Sequence, residues 1–252
     1  MGWMDDETGL DKTAANFVPL TPLSHLVRAR TVFRDREALV DGPRRWTYAE
    51  YHADCSRLAG ALAALGVTPG QVVATVLPNI AAQAIASFGV PACGAVLNTV
   101  NTRLEADTVT YILDHGAAKV VIVDQASLGL VEEAIAQLDG PPPVVIEVAD
   151  PNAGHTPTGR HRTWEGLLEA GDPQFPWIMP KDEWESLALN YTSGTTGRPK
   201  GVVYHHRGAY LCTLATPLSW RMVMYPRHLT IVPLFHCCLL YTSPSPRDRT
   251  RS

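Results

Sequence analysis

Residues 191–201 hold the densest chemistry in the chain. Gly194, Gly197 and Gly201 are interleaved with the hydroxyls of Thr192, Ser193, Thr195 and Thr196, and Lys200 closes the run. Glycine admits positive φ and lets a ligand approach the backbone closely. Exposed amides and hydroxyls can ring a phosphate, and a lysine adds a mobile point charge. Together these residues can hold a polyphosphate. Gly, Ser and Thr also build ordinary polar turns, which is the alternative reading of the same residues. The density of phosphate-type groups in so short a stretch favours the ligand. The pattern differs from G-x-x-x-x-G-K-[ST], because Gly201 rather than Ser or Thr follows Lys200. Val202, Val203 and Tyr204 then read as a strand, so no helix N-terminus is expected to cradle the phosphates.

The elements that must position this loop follow from periodicity. Leu187 to Tyr191 reads as the strand entering it, and residues 206–218 read as a helix leaving the strand after it. Upstream, strands are expected at residues 38–40, 45–47, 72–77, 92–97, 119–123 and 144–148. Helical stripes alternate with them: Tyr51, Cys55, Leu58, Leu62 and Leu65; Ile80, Ala84, Ile85 and Phe88; Leu104, Val109, Ile112 and Leu113; and residues 128–138. Thr47 and Glu50 form a capping-box pair at the head of the first stripe, and Gly66 closes it. Residues 17–26 look like an ordered entry segment broken by Pro19 and Pro22. Residues 149–182 carry five prolines and one short helix near Trp164, which reads as a long ordered connection. Residues 229–232 look like one more strand. Strands alternating with helices imply an α/β fold of mostly parallel sheets flanked by helices.

Composition bounds the partners. The 252 residues are 46% hydrophobic and 18% charged, so a large core is affordable and wholesale disorder is not expected. The formal net charge is −4, and the mean hydropathy is −0.02. No basic excess suggests nucleic acid. The most apolar region, residues 72–100, is interrupted by Pro78, Asn79, Gln83, Ser87, Pro91 and Asn98, so no membrane span is expected. Cys55, Cys93, Cys212, Cys237 and Cys238 have no C-x-x-C spacing, which points to reduced thiols and a cytoplasmic location. The acidic N-terminus does not read as a signal peptide. His205 and His206 are adjacent and so do not share a helical face, and no ligand spacing surrounds them, so no metal is assigned to this pair.

Residues 192–201 resemble the phosphate loop of the AMP-forming adenylating enzymes, which include acyl-CoA synthetases, peptide-synthetase adenylation domains and luciferases. Three further stretches, residues 94–104, 111–119 and 203–211, are similar to the fatty-acyl-CoA synthetase branch. The resemblance covers about residues 15–237 and corresponds to roughly the first half of a full-length member. It implies an incomplete N-terminal domain of an acyl-adenylating enzyme. It also implies a two-step reaction: a carboxylate attacks the α-phosphate of ATP, releasing pyrophosphate, and the CoA thiol then displaces AMP. Thr192, Ser193, Gly194, Thr195, Thr196, Gly197 and Lys200 would form the phosphate site, with Mg²⁺ alongside. Pro233 to Cys237 resembles the next family motif, which gives His236 a place between the acyl pocket and the reacting carboxylate. A histidine capping a strand end is the plainer alternative for His236. Tyr210, Leu214 and Trp220 lie where the family's acyl-pocket helix falls, or they belong to the core.

The substrates implied are a short- or medium-chain fatty acid or an aryl acid, ATP and CoA. A non-catalytic nucleotide- or partner-binding module is the alternative, as is adenylation with another thiol acceptor. The sequence assigns no oligomeric state. Three regions are expected: a flexible N-terminus at 1–16, a partial AMP-binding domain at 17–237, and a tail at 238–252. The tail turns abruptly to Ser, Pro, Thr and Arg, and 238–248 resembles one reading frame of a sequencing-library adapter.

Overall fold

The computed structural model describes residue 9 and residues 11–192, 198–223 and 225–235. After helix α1 (Leu23–Val32) the chain forms an antiparallel ribbon, β1 (Glu37–Asp41) and β2 (Arg44–Thr47). Helix α2 (Tyr48–Ala64) starts at the expected capping box. Thr47 Oγ1 accepts from the Glu50 amide at 3.2 Å, and Glu50 Oε2 accepts from the Thr47 amide at 2.8 Å. The Thr47 amide, first, and the Thr47 hydroxyl, which also donates to Glu50 Oε2 at 2.8 Å, hold the Glu50 carboxyl below its ordinary range.

The main sheet contains β3 (Val72–Val76), β4 (Val96–Thr99), β5 (Ala118–Asp124), β6 (Val144–Val148), β7 (Arg162–Thr163), β8 (Ser186–Thr192) and β9 (Lys200–His205). Its order is β7-β6-β5-β3-β4-β8-β9. Every neighbouring pair is parallel except β8 and β9, which form an antiparallel hairpin. The mostly parallel α/β architecture expected from the alternation is therefore present.

Period-2 alternation divides the core between the two faces of the sheet. Val73, Leu97, Ile122 and Ile146 join Leu58, Leu62, Ile85 and Val90 under α2 and α3 (Ala81–Ala92). Ala74, Val76, Val121 and Val123 join Val109, Ile112, Leu113 and Val131 under α4 (Ala106–His115) and α5 (Leu128–Ala136). Helix α6 (Trp164–Ala170) packs on the first face, and α7 (His206–Ser219) follows the β8–β9 hairpin.

Four sequence expectations need correction. The end of the entry segment, from Leu23, starts α1, which runs on to Val32; Pro22 sits at the helix cap, where a missing N–H breaks no helical bond. Helix α3 runs through Pro91 to Ala92, so β4 begins at Val96 rather than at residue 92. A proline in the last turn is tolerated there, and Gly94 turns the chain at φ +77°. The connection at 149–182 contains the two-residue strand β7, paired in parallel with β6. Residues 229–232 form no strand. The Asn79 amide donates to the Thr230 and Val232 carbonyls at 3.2 and 3.0 Å, so a side chain replaces a strand ladder.

Two buried histidines make the fold acid-sensitive. The His52 ring stacks on Trp177 with centroids 4.3 Å apart, and Trp177 Nε1 donates to Ser56 Oγ at 2.8 Å. His206 Nδ1 lies 2.8 Å from the Thr21 hydroxyl. Burial pushes both imidazoles down to about 4. Arg30 adds to the shift at His52, while at His206 Glu185 opposes it and His205 adds to it. In the unfolded chain these groups protonate near ~6.5. The unfolded state therefore binds more protons than the folded state between roughly pH 6.5 and 4, and stability falls as pH drops through that window. We expect a loss of roughly 1 kcal/mol per histidine between about pH 7 and 5, discounted for solvent screening. Urea unfolding at the two pH values measures it. The His52→Gln and His206→Gln variants are expected to flatten the pH dependence, and an unchanged slope in both contradicts this cause.

Candidate functional site

In an open α/β sheet, ligands bind beyond the carboxyl ends of the parallel strands. Here β3, β4 and β8 run parallel, so Asn79, Thr99 and Thr192 lie along one edge. The hairpin register pairs Thr192 with Lys200 and Tyr191 with Gly201. Both roots of the 193–199 connection are thus held together at that edge, with Thr192 and Lys200 exposed and directly opposite. Gly201 packs closely here: a Cβ would stand 3.1 Å from Leu189 Cδ1 and in ordinary contact, at 3.5 Å, with the Tyr191 ring. A strand follows the loop rather than a helix, as the sequence indicated.

Of the sequence-assigned site residues, Thr192 and Lys200 lie in the described part of the chain and face each other. Ser193, Gly194, Thr195, Thr196, Gly197 and His236 lie outside the described residues.

The segment leading to His236 is tied to the same edge. The Thr99 hydroxyl lies 2.6 Å from Asn190 Oδ1 and 2.8 Å from the Phe235 carbonyl oxygen, sharing its proton between two acceptors. The Leu234 amide donates to Asn79 Oδ1 at 2.7 Å. Asn79, three residues beyond β3, Thr99 at the end of β4 and Asn190 on β8 therefore hold residues 230–235 across the strand ends. Sequence reasoning missed all three. Polar residues at the mouths of otherwise apolar strands were the signal that could have found them.

The Thr99→Val variant leaves a buried Asn190 oxygen and a main-chain carbonyl without their donor. It is expected to destabilise the chain by about 1–3 kcal/mol, and Thr99→Ser by less than about 1. Urea denaturation of both variants checks this, and equal losses would contradict the hydroxyl's role.

The acyl-helix candidates divide. The Tyr210 ring stacks on His25 with centroids 4.8 Å apart, and Trp220 stacks on His228 at 5.7 Å. Leu214 is 48% exposed. None of the three belongs to the buried core. His205 and His206 diverge: His205 Nδ1 accepts from the Gly208 amide at 2.9 Å as the cap of α7, while His206 turns inward to Thr21. Among the described residues no group of three or more His, Cys, Asp or Glu side chains could hold a metal ion. Among them, too, no helix is long and apolar enough to cross a membrane.

A surface groove of about 520 Å³ lies away from this edge, between β2 and the first turns of α2. Its cations are already engaged: Arg57 with Asp54 at 2.8 Å, Arg45 with Glu37 at 3.4 Å, and Arg44 over the Trp46 ring.

A mostly parallel α/β sheet flanked by helices, with the β8–β9 hairpin at the carboxyl edge of its strands, is the fold class seen here. The model of the AMP-binding enzyme family matches residues 26–243, and the chain belongs to that family. It is 42% identical to the peroxisomal acetate/butyrate–CoA ligase AAE7 of Arabidopsis thaliana, over 93% of this chain and 43% of that protein. It is 40% identical to the acetate–CoA ligase CCL3 of Humulus lupulus, over 92% of this chain and 43% of that one. Among solved structures it superimposes on a fatty acyl CoA synthetase of Mycobacterium tuberculosis with a TM-score of 0.65 and 28% identity, over 86% of this chain and 40% of that chain. The chain thus spans less than half the length of the relatives it matches.

Proposed function

We propose that the chain is the N-terminal portion of an ATP-dependent acyl-CoA synthetase. The observation that carries this reading is the hairpin loop at the carboxyl edge, with Lys200 opposite Thr192. In the first step a carboxylate oxygen attacks the α-phosphorus of ATP, and pyrophosphate leaves with the electron pair. In the second the CoA sulfur attacks the acyl carbon, and AMP leaves. The task of the protein is to position and neutralise the phosphates rather than to form bonds to them. In this proposal the Ser193, Thr195 and Thr196 hydroxyls, the amides of Gly194 and Gly197, and Lys200 hold the β- and γ-phosphates. In this proposal His236 would act between the acyl pocket and the carboxylate, and the Thr99 and Asn79 anchors on Phe235 and Leu234 support that role.

Mg²⁺ enters this proposal as part of the MgATP substrate. The relatives' printed names, acetate/butyrate and acetate ligases, support a short-chain carboxylic acid. We assign the protein to the cytoplasm on its reduced-thiol pattern, and the peroxisomal name of one relative makes the peroxisome the competing address. The division into residues 1–16, 17–237 and a foreign tail at 238–252 belongs to the same proposal, and long-read sequencing across codon 237 tests it. For the activity, the full-length protein incubated with acetate or butyrate, MgATP and CoA is expected to yield the acyl thioester and AMP by mass spectrometry. Release of ADP, or thioester formation only with a carrier-protein thiol, would replace the reading.

A further inference from the structure

Behind the loop, α4 presents two rings one helical turn apart, Tyr111 and His115, which share a face at i, i+4. Both meet Tyr191, three residues before Gly194. Tyr191 Oη lies 2.7 Å from His115 Nδ1. The Tyr191 ring stands edge-on to Tyr111 and to His115, with centroids 6.3 and 5.8 Å apart. From the other root of the loop, the Arg198 guanidinium lies over the Tyr111 ring, 5.3 Å from its centroid. Gly116 makes room for the packing: a Cβ there would strike the Ile112 carbonyl at 2.8 Å and sit 3.4 Å from Tyr191 Oη.

We propose that Tyr111, His115, Tyr191 and Arg198 are positioning residues: α4 fixes Tyr191 and Arg198, one on each side of the phosphate-loop residues, and this favours MgATP binding. The proposal rests on the phosphate-loop reading of residues 192–201. The logic is preorganisation. A loop joined only to its own hairpin loses freedom when it closes on phosphate, whereas a loop whose two roots are docked on a rigid helix has lost it in advance. The chemistry of the contacts agrees. Burial, with Tyr111 adding to it, raises the Tyr191 phenol above its ordinary range, so it stays a neutral donor. Tyr191 Oη is then a donor placed 2.7 Å from His115 Nδ1. An aromatic face under Arg198 holds the guanidinium without neutralising it, which leaves that charge to favour a nearby anion.

The test uses the full-length protein and titrates MgATP by calorimetry. The Tyr191→Phe variant removes one hydroxyl, and His115→Phe removes its acceptor. Each is expected to weaken MgATP binding about fivefold, the loss of one hydrogen bond. The double variant is expected to stay near fivefold, because both changes delete the same bond. His115→Asn, which keeps an acceptor, is expected to recover wild-type affinity within about twofold. The KM for the carboxylic acid should stay unchanged in every variant. Losses that multiply in the double variant, an equal rise in the KM for the acid, or a lowered melting temperature with unchanged MgATP affinity would each overturn the proposal. If the wild-type protein binds MgATP without acid-dependent chemistry, the synthetase reading falls while these affinities still decide the role of the four residues. If the wild-type protein binds no MgATP, the phosphate-loop reading falls and takes this proposal with it.

Discussion

Replacing Lys200 with alanine is expected to lower acid-dependent ATP–pyrophosphate exchange by the full-length protein roughly 10²–10³-fold. Lys200 is exposed and opens β9 directly opposite Thr192. Its amine can follow the phosphates because four methylenes carry it, while its backbone is fixed by the hairpin. Charge develops on the leaving pyrophosphate, and removing one preorganised donor from such a charge costs about 2.7–4 kcal/mol in comparable sites. Ground-state MgATP affinity should fall less, about tenfold, in line with one charge-assisted hydrogen bond. Lys200→Arg should recover part of the activity, since the charge remains but the planar fork replaces a point donor. Unchanged exchange and unchanged affinity in Lys200→Ala would show that the 192–201 loop does not grip the phosphates.

The largest stability effect is expected at Gly171, far from that loop. Gly171 ends α6 against α2, and a Cβ there would lie 2.0 Å from the Arg57 carbonyl oxygen and 2.8 Å from Arg57 Cα. These are backbone atoms in the middle of α2, so no side chain can swing aside. Gly171→Ala must push α6 and α2 apart and open the seam in which Leu167 and Trp164 are buried. We expect a loss of about 3 kcal/mol or more, or a fall in Tm of roughly 6–12 °C for a chain of this size. Gly129 in α5 is the control: a Cβ there meets nothing within 4 Å. Gly129→Ala should stabilise by roughly 0.5–1 kcal/mol through helix propensity. Thermal unfolding of the two variants beside the parent chain decides. A Gly171→Ala variant that melts with the parent would mean that α6 does not sit on α2 as described.

Local grammar made much of the fold legible. Thr47 and Glu50 announce a helix start because two orphan amides need those two acceptors and nothing distant is involved. The apolar runs at β3, β5 and β6 declare strands buried on both faces, since only parallel strands between two helical layers are apolar on both sides. The proposed phosphate loop stands out for the same local reason: its glycines, hydroxyls and lysine fall within the ten residues 192–201.

What stayed hidden depends on contacts far apart in sequence. Residues 229–232 have strand-like composition, but Asn79, some 151–153 residues away, takes their carbonyls. Thr99 looks like an ordinary β-branched strand residue until the fold sets it beside Asn190 and Phe235. Tyr111 and His115 read as ordinary helix positions until β8 brings Tyr191 onto them. Pro91 looked like a strand's first break because a helix tolerating proline in its last turn leaves no local mark. In the same way, α1 was masked by the prolines that precede it.

The measurement that tests the central claim most directly is isotope exchange between ATP and pyrophosphate, catalysed by the full-length protein with and without a short-chain carboxylic acid. The account predicts exchange that requires the acid, proceeds without CoA and is lost in Lys200→Ala, because adenylation is reversible before any thiol is involved. Binding of MgATP with no exchange on any carboxylic acid would contradict it and leave a nucleotide-binding module in place of a synthetase.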